Sequence, residues 1–167
     1  VNTDGLIDLD KLNNAIEPNT KLISIMMVNN EIGVIQPIEE VGKICKQRDI
    51  AFHVDAAQAM GKIDLDVKKL NIDLMSVSSH KLYGPKGAGA LYINRETMKH
   101  KIKPIFFGGG HENGIRPGTL AVHNIVGFGE ACKIAGNIMD KESKKILKLR
   151  EFLLKKIKSH FATRVIE

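Results

Sequence analysis

Apolar residues recur along this chain in two periods, and the change of period divides it into elements. Asp8 to Ile16 carries a stripe at Leu9, Leu12 and Ile16, the spacing of one helical face, and Pro18-Asn19 ends it. Lys21 to Val28 (KLISIMMV) is apolar at almost every position, as expected for a strand covered on both faces. Asn29-Asn30-Glu31-Ile32-Gly33 then makes a polar turn. Pro37 to Gln47 returns to helical spacing, with Ile38, Val41, Ile44 and Cys45 on one side and Pro37 suited to a first helical position. Ala51 to Val54 predicts a short strand ending at Asp55, and Asp66 to Leu70 a short helical turn. Ile72 to Ser78 and Ala88 to Ile93 predict two further strands. A glycine-rich loop runs from Gly108-Gly109-Gly110 to Thr119. Ala121 to Ala135 predicts a helix, and Lys141 to His160 a second, long and amphipathic one with Ile146, Leu149, Leu153 and Ile157 on its apolar side.

Strand, helix, strand, helix, strand is the order of an α/β protein with a mainly parallel sheet flanked by helices. Such sheets bind ligands beyond the carboxyl ends of their strands. That rule directs attention to the residues just after Val28, Val54 and Val77: Asn29-Asn30-Glu31, Asp55-Ala56-Ala57-Gln58 and Ser78-Ser79-His80-Lys81. Three strand ends thus offer an acid, a lysine and several hydrogen-bonding groups at one rim.

Composition narrows the class without choosing a chemistry. With 167 residues, 43% hydrophobic and 26% charged, the chain has the make-up of about one globular domain with a real core, which excludes disorder and collagen-like repeats. No apolar run approaches the ~20 residues needed to span a bilayer. Two cysteines, Cys45 and Cys132, make no disulfide framework; they fit a reducing compartment and read as small buried hydrophobes. The net charge of +6 is uneven: 10 basic and 12 acidic residues up to Asn94, then 15 basic and 7 acidic. Many of those lysines fall between Lys141 and Lys158, as a solvated helix face would place them, and no nucleic-acid motif accompanies them. The chain opens on Val1 without a secretory leader and stops at Arg164-Val165-Ile166-Glu167 after a helical pattern, so it is expected to be a piece of a larger protein. Residues 1–135 are expected to form part of a large domain, and 136–167 a helix leading toward a smaller one.

A lysine at a ligand rim can form a Schiff base once its proton is removed. Pyridoxal phosphate also needs a carboxylate for its pyridinium nitrogen, which keeps the ring an electron sink, and donors for its phosphate. Lys81, Asp55 and Ser78 would fill these roles, with His80 on the phosphate or moving protons. Each alone is commonplace: a strand-end Asp caps turns, and a short Ser-x-His-Lys is an ordinary loop. Together at adjacent strand ends they favour the cofactor. Other chemistries fit worse. Gly84-Pro85-Lys86-Gly87-Ala88-Gly89 lacks P-loop spacing, and no G-x-G-x-x-G comes after a first strand. The histidines His53, His80, His100, His111, His123 and His160 give no H-E-x-x-H, so no metal ligand is assigned. No G-x-S-x-G elbow appears.

The segments VNNEIGVIQPI (28–38), FHVDAAQAMGK (52–62), DLMSVSSHKLYGPKGAGALY (73–92) and GGGHENGIRPGTLAVHNIVGFGEA (108–131) resemble the cysteine desulfurases, most of all the housekeeping type that supplies iron–sulfur cluster assembly. SSHKLYGPKG with HVDAAQ is specific to this group of pyridoxal-phosphate enzymes. The resemblance covers almost the whole chain. It implies a fold-type I enzyme, a homodimer, that removes sulfur from L-cysteine to give L-alanine and an enzyme persulfide. Its partners would be an iron–sulfur scaffold and sulfur-acceptor proteins, including a tRNA-thiolation carrier, with no direct nucleic acid and no membrane. Lys81 would hold the cofactor as a Schiff base and then act as the proton-transfer base. Asp55 would pair with the ring nitrogen, Gln58 with the ring oxygen, and Ser78 and His80 with the phosphate. Asn30 would lie beside the ring oxygen and the substrate carboxylate. Thr119 would reach the phosphate of the other subunit. His53 reads as structural.

The family loop commonly runs E-R-G-x-R-S-G-T; here Asn113 comes after Glu112 and Pro117 after Arg116, which alters the loop while keeping Arg116 and Thr119. The family's nucleophilic cysteine and its substrate-binding arginine would lie beyond this C-terminus, and the ring-stacking histidine before Val1. Neither Cys45 nor Cys132 matches the nucleophile's context, so the piece alone is expected to be inactive. A selenocysteine lyase or aminotransferase of the same fold, and a non-catalytic module using the basic helix, remain the alternatives. The wording of HENGIRPGTLAVHNIVGFGEA points to a bacterial cytoplasm, with the mitochondrial matrix as the alternative.

Overall fold

A computed structural model describes residues 1–98 and 102–160; His100 and residues 164–167 lie outside them. Four strands form one sheet in chain order: β1 (Leu22–Met26), β2 (Ala51–Asp55), β3 (Leu74–Ser78) and β4 (Gly89–Ile93). The first three are parallel, and β4 returns antiparallel to β3. Four helices accompany them: α1 (Leu9–Ala15), α2 (Ile38–Gln47), the short α3 (Arg95–Met98) and α4 (Val122–His160). Residues 66–70 close a single turn through Leu70 N–H to the Asp66 carbonyl.

The core explains why these segments pack as they do. Strand alternation sends Ile23, Phe52 and Val54 to one face, where α2 brings Ile38, Val41 and Cys45. Leu9, Leu12 and Ile16 of the first helical segment close the edge of the same cluster. Phe52, Val54, Val41 and Ile72 are fully buried, each contributing about 1.5–3 kcal/mol relative to exposure. Gly42 lets α2 approach the 66–70 turn: a Cβ there would lie 2.1 Å from the Leu70 carbonyl oxygen. A second, smaller cluster joins Leu82, Phe128 and Ala135, so α4 packs behind the segment after β3.

Three expectations change. The apolar run of β1 is covered on one face only: Ile23 is buried, while Leu22 and Met26 are exposed. The register aligns them with Asp55 of β2, Ser76 of β3 and Leu91 of β4, so one whole face of the sheet is uncovered by the described residues. The two helices expected over 121–135 and 141–160 are a single helix of 39 residues. Gly136 and Asn137 lower helix propensity there, but neither removes a backbone donor as proline would, so α4 continues. The apolar positions Ile146, Leu149 and Leu153 on its far half are exposed. The third change is α3, which no sequence pattern predicts.

Candidate functional site

Parallel pairing brings the carboxyl ends of β1, β2 and β3 to one rim. Asp55 ends β2, and its backbone is fixed on both sides: its carbonyl accepts from Met27 N–H at 2.9 Å, and the next N–H, of Ala56, donates to Ser76 O at 2.9 Å. Its Oδ1 accepts from Ala57 N–H at 2.9 Å, which turns the carboxylate toward the rim. Oδ2 has no donor among the described residues. Asp55 and Ser76 are register partners, so Ser76 and Ser78 share the face of Asp55 on the open side of the sheet.

Beyond Ser78 the chain folds into a 3-10 turn, Ser79–Leu82. Its three-residue period buries Ser79 and Leu82 and exposes His80 and Lys81 between them. Ser78 Oγ and His80 Nδ1 lie 3.0 Å apart. The turn is held by Ser79 N–H to Ala88 O and Gly84 N–H to Ser79 O. Tyr83 leaves it in the left-handed region, at φ 62°. Behind it, Gly84 sits against the buried Ser79 hydroxyl and Ala131 of α4, where a Cβ would be 2.3 Å and 3.2 Å from them.

The remaining predicted residues are arranged less tightly. Gln58 lies in the turn after Asp55, and its Oε1 accepts from Lys62 Nζ at 3.1 Å. Asn30 is exposed at the tip of the turn after β1, donating to Glu31 Oε1 at 2.6 Å. That turn is built by Asn29, whose Oδ1 accepts from Glu31 and Ile32 N–H, and by Gly33 at φ +72°. Thr119 is exposed in the glycine-rich loop. Among the described residues no hydrogen bond or ion pair joins this loop to Asp55, Ser78, His80 or Lys81. Within the loop Asn113, where the family pattern has arginine, is left-handed at φ 57°, a conformation asparagine tolerates.

The cysteines are poorly suited to nucleophilic work. Burial, with the nearby Asp73 charge, pushes the Cys45 thiol up to about 11. Burial also raises Cys132 above its ordinary value. Both changes disfavour the reactive thiolate. A cavity of about 340 Å³ lies between the Lys81 turn and α4, lined by Lys81, Tyr83, Pro85, Ile134 and Ile138 among others. Lys81 thus borders this cavity, whereas Asp55 and Ser78 do not line it.

One pair has no counterpart in any sequence pattern. Ser24 of β1 and His53 of β2 are register partners on the open face, with Oγ and Nδ1 2.7 Å apart. Only the strand register brings together residues 29 positions apart.

A carboxylate, a lysine and a hydroxyl–imidazole pair at or just after the ends of adjacent strands are the kinds of group that a pyridoxal-phosphate enzyme of fold-type I uses. The comparisons agree with that class. The family model for class-V aminotransferases matches residues 1–167. A mitochondrial cysteine desulfurase of Arabidopsis thaliana is 56% identical over 154 residues, covering 92% of this chain and 34% of that protein. The cysteine desulfurase IscS of Glaesserella parasuis is 59% identical over 151 residues, covering 90% and 37%. A solved NifS-like protein from Rickettsia africae superposes with a TM-score of 0.87 at 40% identity, covering 96% of this chain and 44% of that one. A structure described as SspA in complex with cysteine gives a TM-score of 0.74 at 49% identity, covering 78% and 37%. This chain belongs to the class-V aminotransferase family, whose members use pyridoxal phosphate. It spans little more than a third of the length of these curated relatives.

Proposed function

We propose that the complete protein is a cysteine desulfurase. It would take L-cysteine, release L-alanine and retain the sulfur as an enzyme persulfide for iron–sulfur cluster assembly and tRNA thiolation. The observation that carries this reading is the position of Asp55 at the end of β2 and of Ser78, His80 and Lys81 at and just after the end of its neighbour β3, in a chain more than half identical to relatives described as cysteine desulfurases.

Lys81 would hold the cofactor covalently through Nζ, Asp55 would accept from the ring nitrogen, and Ser78 and His80 would bind the phosphate. Gln58 and Asn30 would contact the ring oxygen, and Thr119 the phosphate of a second subunit. When bound, pyridoxal phosphate supplies an electron sink conjugated to the substrate's α-carbon. The Asp55 carboxylate would favour a protonated ring nitrogen and so sustain that sink. Lys81 Nζ would also take and return the substrate protons. The exposed face of its 3-10 turn leaves Nζ room to move, while buried Ser79 and Leu82 anchor the backbone. Across the whole reaction, the substrate C–S bond breaks, a C–H bond forms, and the sulfur joins an enzyme thiol as S–S; carbon is reduced and sulfur oxidised. That thiol would come from outside this chain, since Cys45 and Cys132 are both held as neutral thiols. Residues 1–135 would belong to the cofactor-binding domain and 136–167 would lead toward a smaller one. The relatives above 50% identity include a mitochondrial protein and an IscS, so the bacterial-cytoplasm reading rests on loop wording alone.

The test uses the full-length protein loaded with pyridoxal phosphate, L-cysteine and a reductant. Sulfide and alanine should appear in equal amounts, and Lys81→Ala should abolish both. Sustained turnover in that variant would overturn the assignment of Lys81, and bound cofactor with neither product would overturn the activity.

A further inference from the structure

The glycine-rich loop closes on itself, and it contains Asn113 and Pro117, two residues that depart from the family pattern. It begins at Gly108 and returns at Pro117, which seats on Gly108: a Cβ at Gly108 would lie 2.9 Å from Pro117 Cβ and 3.7 Å from its Cγ. Loops whose ends meet in this way are packed by their own side chains. Pro117 is half-buried, while Arg116 and Gly118 on either side of it are exposed. Within the loop, Gly110 N–H donates to Gly108 O at 2.9 Å, Gly114 N–H to Gly110 O at 3.1 Å and Ile115 N–H to Glu112 O at 3.2 Å. The apex bends through three consecutive left-handed residues, Glu112 at φ 52°, Asn113 at φ 57° and Gly114 at φ 82°. Asparagine tolerates that region, whereas the family's arginine at 113 would be strained in it. Proline at 117 fixes its own φ and restricts Arg116 toward extended conformations; the family's serine does neither. Past the closure, Arg116 Nη1 donates to Gly118 O at 3.0 Å, which holds the peptide joining Gly118 to Thr119.

We propose that Asn113 and Pro117 are positioning residues for Thr119: together they shape the loop before a second subunit is met, so that Thr119 is presented to that subunit's phosphate already placed. This rests on the reading of Thr119 given above. Neither residue touches the cofactor; each lowers the cost of the one loop conformation seen here, Asn113 at the apex and Pro117 at the closure. A loop with arginine at 113 and serine at 117 would keep Arg116 and Thr119 but would sample more conformations when unbound. Ordering them on contact with the phosphate then opposes binding.

The test is the dissociation constant of pyridoxal phosphate from the full-length protein, measured at a concentration where every variant has the same oligomeric state, with the melting temperature recorded in parallel. Pro117→Ser and Asn113→Arg are each expected to weaken cofactor binding about two- to fivefold. Thr119→Ala should weaken it further than either. Adding Pro117→Ser or Asn113→Arg to Thr119→Ala should change nothing more, because both residues act only through Thr119. Gly108→Ala, whose methyl would displace Pro117 from its seat, should weaken binding as Pro117→Ser does. Unchanged affinity in Pro117→Ser or in Asn113→Arg, beside a weakened Thr119→Ala, would overturn the role of that residue and leave the contact of Thr119 intact. The same loss with and without Thr119, or a lower melting temperature alone, would make the residue a merely structural one and overturn its role equally. Unchanged affinity in Thr119→Ala would overturn the contact itself, and the proposal with it.

Discussion

The turn that carries Lys81 is packed so closely against its own base that one methyl group tests the arrangement. A Cβ at Gly84 would lie 2.3 Å from the Ser79 hydroxyl oxygen, about 1 Å inside ordinary contact, and 3.2 Å from both the Ser79 carbonyl and Ala131 Cβ. Gly84 is not among the residues with positive φ, so alanine there meets a steric cost alone. Ser79 is fully buried and cannot swing into water, and overpacking of this kind costs about 1–3 kcal/mol. Gly84→Ala should therefore destabilise by roughly 2–3 kcal/mol, with two hard contacts besides the hydroxyl. The Ser79 hydroxyl has no hydrogen-bond partner among the described residues. Removing it loses no bond and relieves an uncompensated buried polar group, so Ser79→Ala alone should be neutral or slightly stabilising. In the Gly84→Ala background the same change should recover about half the loss, a coupling of about 1 kcal/mol in a double-mutant cycle. Urea unfolding of the four full-length proteins, followed by circular dichroism, measures all four corners. A Gly84→Ala protein as stable as wild type, or strictly additive variants, would refute the packing argument.

Two further substitutions probe the core cluster around α2. Gly42→Ala places a methyl on a helix and gains about 1 kcal/mol in propensity, yet the added Cβ falls 2.1 Å from a backbone oxygen of the 66–70 turn. The net change in the urea midpoint should be destabilising, and a stabilised variant would show that α2 can slide. The Cys45 thiol titrates at about 11 when folded, above its ordinary 9.0, so the unfolded chain loses this proton first. Stability from its burial should be complete below pH 9 and decline between pH 9 and 11, with a flatter decline in Cys45→Ala; equal slopes would contradict the burial.

Elements bounded by strong local chemistry were legible in the sequence. β2 was readable because AFHV ends in an acid, and β3 because the apolar run stops at Ser78. The order of these strands implied the parallel rim. The continuity of α4 was hidden because Gly136-Asn137 resembles a stop, although the helix is lost there only if competing turn bonds are better. α3 was missed because its four residues carry no apolar period; its one local sign is Asn94, whose Oδ1 accepts from Glu96 N–H. The open face was misread because Leu22 and Met26 look the same whether or not something lies over them. The Ser24–His53 pair depends on register between strands separated by a helix, which no local pattern encodes.

At 39 residues, α4 is about 58 Å long, far longer than the strands it accompanies. Its close contacts with the Lys81 turn are gathered near one end, where Gly127 meets Pro85 and Ala131 meets Gly84. With Ala135 packed against Leu82 as well, the helix is held over its first turns, and over the roughly 37 Å from Ala135 to His160 a tilt of about 5° would carry the far end some 3 Å. Conversely, a body seated on the exposed Ile146, Leu149 and Leu153 has a long mechanical advantage over the angle at which the turn presents its lysine.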